Sequence, residues 1–150
     1  VIPTVSGTQS LSLTLLWWKE SDICVHGPYV SGYYTFTAKP GMKFIILAYR
    51  FQNNWIREQT TPYLTRGEIT THKGYIYSVW RPPAGAHSEE YNPRESTSDE
   101  VKDLIGSSGG FQKLLPEESC TGCVVFEIPA DATPIEANLF EVPFVIKFKG

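Results

Sequence analysis

Apolar and polar residues alternate with a period of two through most of the chain. Leu11, Leu13, Leu15 and Trp17 alternate with Ser12, Thr14 and Leu16, the pattern of a strand with one buried face. Continued one residue further, the alternation puts Trp18 on the face opposite Leu11 and Trp17. Tyr33, Thr35 and Thr37 alternate with Tyr34 and Phe36 in an aromatic and β-branched stretch. Lys39-Pro40-Gly41 then supplies turn chemistry, because proline fixes one φ and glycine tolerates a positive one. The clearest strand spans residues 43–51. Ile45, Leu47, Tyr49 and Phe51 share one face, while Phe44, Ile46, Ala48 and Arg50 share the other. Both faces begin apolar, as expected of a central strand, and Asn53-Asn54 ends it as a turn.

Residues 68–71 and 75–80 flank His72-Lys73-Gly74 and read as a hairpin with glycine at the turn. Arg81-Pro82-Pro83-Ala84-Gly85 interrupts the pattern, and residues 82–110 form a polar insertion. Within it, Thr97-Ser98-Asp99-Glu100 resembles a capping box. Val101, Leu104 and Ile105 follow at helical spacing and Gly106 stops them, which predicts one short helix over about 97–106. Ser107-Ser108-Gly109-Gly110 is a flexible exit. Strand patterns return at 123–128, 135–140 and 144–149, with Pro129 closing the first. The expectation is one all-β domain over residues 1–150, an immunoglobulin-like sandwich of about seven to nine strands. The cysteine–tryptophan–cysteine spacing of antibody domains is missing, so the immunoglobulin-like part rests on strand number and on the resemblance described next.

Several features in order resemble the telokin-like, immunoglobulin-like domain family of unknown function found in prokaryotic secreted proteins and lipoproteins. Lys39-Pro40-Gly41 leads into the strand that ends at Asn53, and a hairpin contains Gly74-Tyr75-Ile76-Tyr77. Leu115-Pro116-Glu117-Glu118 precedes Gly122, and Val124-Val125-Phe126-Glu127-Ile128-Pro129 precedes Asp131. The resemblance covers residues 11–139. It implies an extracytoplasmic β-sandwich and implies no catalytic residues. Two departures stand out: Glu117 occupies a position where that family usually has glycine, and the 82–110 segment is longer than usual.

With 150 residues, 41% hydrophobic and 19% charged, the chain suits one globular domain. A net charge of −3 and scattered basic residues give no case for nucleic acid. No apolar run approaches the roughly 20 residues of a membrane span. The chain opens on Val1 rather than methionine. A removed signal peptide, a lipid-anchored leader or simple trimming each accounts for that, and the first two would anchor or export the domain.

Candidate chemistry is sparse. Cys24-Val25-His26 and Cys120-Thr121-Gly122-Cys123 together hold four soft or borderline ligands. If they met, three thiolates and an imidazole would suit zinc or copper. A disulfide from Cys24 to Cys120 or Cys123 is the favoured alternative, and buried thiols acting as small hydrophobes are a third. Thioredoxin-like chemistry needs a helix after the cysteine pair, and none is predicted there. His72 falls in a turn, and His87 beside Glu89 and Glu90 reads as a solvated loop; Asp99, Glu100 and Asp103 read as helix-capping charges. No nucleophile elbow and no phosphate loop occurs. Among the aromatics, Trp18 and Trp55 are the expected exposed ones, and tryptophan anchors binding interfaces. The leading expectation is a non-enzymatic, extracytoplasmic module that binds an unknown protein or glycan partner and needs no cofactor. The alternative is a metal-binding or metal-delivery domain using Cys24, His26, Cys120 and Cys123. A hydrolase built from distant acids ranks third.

Overall fold

A computed structural model describes residues 4–6, 11–29, 32–61, 67–80, 89–91, 113–139 and 144–148. The helix expected at 97–106, and all of the polar insertion except 89–91, lie outside the described residues. In chain order the strands are β1 (Thr4–Ser6), β2 (Leu11–Ser21), β3 (Ile23–Tyr29), β4 (Gly32–Thr37), β5 (Met42–Asn53), β6 (Gln59–Thr60) and β7 (Gly67–Thr71). They continue with β8 (Ile76–Ser78), β9 (Glu89–Tyr91), β10 (Lys113–Leu114), β11 (Ser119–Pro129), β12 (Pro134–Leu139) and β13 (Phe144–Lys147). The described residues are thus all-β. They hold more strands than expected because bends split long runs and short pairs of two or three residues add to the number.

β5 is the strand that the alternating pattern marks most clearly, and it lies at the centre of a sheet ordered β11-β5-β2. Its odd-numbered residues Ile45, Leu47, Tyr49 and Phe51 join Leu11, Leu13 and Leu15 of β2 and Val124, Phe126 and Ile128 of β11 in the main core. The opposing layer is the five-stranded sheet β1-β13-β12-β7-β8. It contributes Ile69, Ala137, Leu139, Phe144 and Ile146, with Phe148 just beyond β13. All strand pairings are antiparallel, and the architecture is a β-sandwich with side chains of two sheets interdigitating.

The outer face of the central sheet is covered at one end by a second, smaller core. β2 bends at Asp22 into β3, and β4 returns through Ala38, whose N–H donates to the Asp22 carbonyl at 2.8 Å. The β3–β4 hairpin folds over Phe44, Ile46 and Val125 and adds Cys24 and Phe36, with Trp17, Ala38 and Trp80 packed alongside. The Trp80 ring meets Phe36 and Phe44 edge-on, at 5.4 and 5.0 Å between centroids. Lys39-Pro40-Gly41 forms the expected turn back into β5. Gly41 has φ 80°, and Met42 N–H donates to the Lys39 carbonyl at 2.9 Å.

One local device overturns a sequence expectation. Leu15 pairs with Tyr49, but Trp17 pairs with Ala48, so Leu16 is an extra residue in a β-bulge. The bulge exchanges the two faces of β2. Trp17 turns to the outer core, and Trp18 turns to the main core, where its half-buried ring meets Phe148 edge-on at 5.0 Å. Alternation alone put Trp18 on the opposite, exposed face. The shift is invisible to a hydrophobicity pattern because Leu15 to Trp18 is continuously apolar.

The β7–β8 hairpin turns at Gly74, with φ 84°, as its sequence predicts. It continues past Ser78 to the edge of β11 through a bridge from Val79 to Phe126 and a Trp80 N–H to Val125 carbonyl hydrogen bond of 2.8 Å. Gly67 makes this corner: a Cβ there would sit 2.5 Å from Val79 Cγ2, and a β-branched neighbour cannot rotate away. The hairpin tip is tied to the β11–β12 turn as well. Thr133 N–H donates to His72 Nδ1 at 3.0 Å, and Lys73 pairs with Asp131 at 3.0 Å. No helix among the described residues is long and apolar enough to cross a membrane.

Candidate functional site

The cysteines are not brought together. β11 pairs regularly with β5 across this stretch: Cys120 opposes Phe51, Thr121 opposes Arg50, Gly122 opposes Tyr49 and Cys123 opposes Ala48. Residues three apart on a regular strand point to opposite faces. Cys120 accordingly packs against the main core, and Cys123 lies on the outer face with Ala48. Cys24 lies in the outer core near Glu127, four residues or about 13 Å along β11 from Cys123. All three residues carry thiols. His26 lies on β3 opposite Tyr34, and its side chain lies outside the described atoms. Among the described residues no group of three or more histidine, cysteine, aspartate or glutamate side chains is arranged to hold a metal.

Cys120 and Cys123 therefore face opposite sides of the sheet, and no disulfide joins any of the three cysteines. A Cys-x-x-Cys pair converges at a turn, and here it runs straight along a strand. Thiol reactivity is suppressed as well. Burial, with Glu127 nearby, pushes the Cys24 thiol up to about 12. Burial also raises Cys120, against a hydrogen bond with the Phe51 backbone that pulls it down. The thiolate is the nucleophile and the metal ligand, so these shifts favour inert core residues.

The geometry that does converge surrounds Asn53. This side chain is 0% exposed and uses its full amide. Its Nδ2 donates to the Arg57 carbonyl at 2.8 Å and to the Leu114 carbonyl at 2.9 Å, and its Oδ1 accepts from Trp55 N–H at 2.9 Å. Its backbone N–H donates to the Glu118 carbonyl and its carbonyl accepts from Glu117 N–H, both at 2.9 Å. One asparagine thus binds the loop after β5 to the turn before β11. The short β6–β10 ladder, with Gln59 opposite Leu114, zips the same two segments further on. Leu115 N–H donating to Glu118 Oε1 at 2.6 Å braces the turn from within.

These clamped segments present apolar side chains to solvent. Trp55 is 45% exposed, Ile56 81% and Leu115 56%. The Arg57 guanidinium lies 5.7 Å from the Trp55 ring centroid, within cation–π range. Glu117 holds φ 72°, a left-handed conformation that disfavours any side chain with a Cβ. Trp55 is exposed as its sequence context predicts. The sequence marks Asn53 and Leu115 only as turn and resemblance positions and gives no binding role to them, to Ile56 or to Arg57. The signal available for them was isolated apolar residues, Ile56 and Leu115, inside polar turn segments. Among the described residues at this end, no nucleophile lies beside a base.

The fold and this loop end define a β-sandwich with a rigid apolar tip. Two solved structures share the fold. An uncharacterized beta-sandwich protein from Clostridium difficile aligns with a TM-score of 0.50 at 17% identity, over 99% of this chain and 92% of the other. A conserved hypothetical protein from Bacillus anthracis aligns with a TM-score of 0.52 at 16% identity, over 98% of this chain and 99% of the other. At these identities the likeness establishes the β-sandwich. No protein-family model and no curated protein matches the sequence.

Two outcomes are expected. Asn53→Ala orphans two carbonyls and one N–H and lowers stability by about 2 kcal/mol, whereas Glu117→Gly relieves the left-handed strain and raises it by up to about 1 kcal/mol. Denaturant midpoints at constant m-value measure both. Alkylating unreduced protein after unfolding adds three adducts by intact mass, and in the native state Cys120 reacts before Cys24. A single adduct with a two-proton mass deficit would restore the disulfide.

Proposed function

We propose that this chain is a non-catalytic, extracytoplasmic binding module of immunoglobulin-like, telokin-like type, and that the Asn53 loop end is its contact surface. The observation that carries the reading is the exposure of Trp55, Ile56 and Leu115 on segments held rigid by one buried asparagine. Exposed apolar side chains gain roughly 25 cal/mol per Å² when a partner covers them. Rigid loops lose little conformational freedom on binding. The telokin-like part is supported by Glu117, whose positive φ falls where the resembled family has glycine. A left-handed backbone favours glycine, and Glu117 adopts it here at the expense of strain.

A protein partner fits this surface better than a glycan. Sugar rings stack on an open aromatic face, and Arg57 covers one face of Trp55. Ile56 and Leu115 are aliphatic and suit apolar protein side chains. Tryptophan and arginine are also the residues that dominate protein interfaces. Burial is the main cause raising both Cys24 and Cys120, which supports a structural role for these two thiols.

Panning a displayed peptide library on the wild-type protein tests this. The selected peptides are expected to lose at least about tenfold in affinity for Trp55→Ala and for Ile56→Ser, with both variants keeping the wild-type denaturation midpoint. Peptides indifferent to both substitutions, or glycan-array ligands that depend on Trp55, would contradict the reading.

A further inference from the structure

The outer face of the central sheet changes character along β5. Near the β3–β4 hairpin it carries Phe44, Ile46 and Val125, all covered. Toward the other end the cross-strand register puts Thr14, Arg50 and Thr121 in one row across β2, β5 and β11. Ser12, Gln52 and Ser119 form the next row. Five of these six residues are exposed and Ser12 is half-buried.

Arg50 stands at the centre of this face. Lys43 and Lys73 are each paired with a carboxylate, Glu20 and Asp131. No hydrogen bond or ion pair of the Arg50 side chain is found among the described residues. Its planar guanidinium keeps five N–H donors in a fork that matches a carboxylate or sulfate. A hydroxyl lies on the neighbouring strand at either side, roughly 4.8 Å away, and the second row follows roughly 7 Å along the strands.

We propose that this face binds an acidic polysaccharide, with Arg50 gripping a uronate carboxylate or a sulfate ester. Thr14, Thr121, Ser12, Gln52 and Ser119 exchange hydrogen bonds with the sugar hydroxyls around it. The chemistry separates this ligand from a peptide. Arg50 lies on the middle strand, away from the edges where β-addition occurs, and these six residues form no apolar pocket for side chains. The protein's net charge of −3 opposes diffuse attraction to any polyanion, so binding here requires a local site. The inference uses none of Trp55, Ile56 and Leu115 and stands apart from the loop-end surface.

The test titrates the whole chain with polygalacturonate, dextran sulfate, uncharged dextran and poly-glutamate at low and high salt. Binding of either acidic polysaccharide is expected, weakened by salt, with neither uncharged dextran nor poly-glutamate bound. Arg50→Gln is expected to reduce affinity at least about tenfold, while Lys147→Gln, an equal change in charge on the far sheet, leaves it unchanged. Failure of both acidic polysaccharides to bind would overturn the inference. So would equal losses in the two variants, or binding of poly-glutamate as tight as that of the polysaccharides.

Discussion

The two-sided burial of β5 is the constraint on which the rest of the structure depends. Phe44, Ile45, Ile46 and Leu47 are consecutive and all fully buried. A strand with one wet face cannot achieve that, because successive side chains point to opposite faces. Two separate layers must therefore cover β5. The five-stranded sheet covers the odd-numbered residues, and the β3–β4 hairpin covers Phe44 and Ile46. Each fully buried large apolar side chain contributes roughly 1.5–3 kcal/mol relative to exposure, so neither cover is dispensable. The bend at Asp22 and the turn at Lys39-Pro40-Gly41 exist to bring the second cover back over the strand.

β5 also ties the two exposed surfaces to that core. Its last residues organise what solvent meets. Arg50 and Gln52 are exposed on the outer face of the sheet. Asn53 turns inward, and its fully used amide fixes the loop that carries Trp55, Ile56 and Arg57. A contact surface built this way needs little reorganisation on binding, because its backbone is hydrogen-bonded before a partner arrives. The strain at Glu117 lies in the same cluster, where surrounding hydrogen bonds hold a backbone conformation that the residue itself disfavours.

Much of this was legible in the sequence, and the remainder was hidden for identifiable reasons. The strand at 43–51 with two apolar faces, the turn at Lys39-Pro40-Gly41 and the hairpin at Gly74 follow from periodicity and turn chemistry, and the structure has all three. The bulge at Leu16 does not, because a run of four apolar residues carries no phase. That one residue changes Trp18 from an expected surface group into a ring packed on Phe148. The placement of the cysteines was hidden for a related reason. Cys120 and Cys123 suit one metal ion only at a turn, and the pattern could not tell that they belong to one unbroken strand. Trp55 was legible because it follows a turn signal. The role of Asn53 was not, since a buried asparagine and a solvated turn asparagine look alike until their partners are known.

Amide hydrogen exchange resolved along the chain tests the two-sided burial of β5 most directly. If both covers rest on that strand, the amides of residues 44–49 exchange only through global unfolding, with protection equal to the overall stability. The β3–β4 hairpin then opens at lower free energy while β5 stays closed on the main core. Exchange of residues 44–49 together with the hairpin, well below the global unfolding free energy, would contradict it.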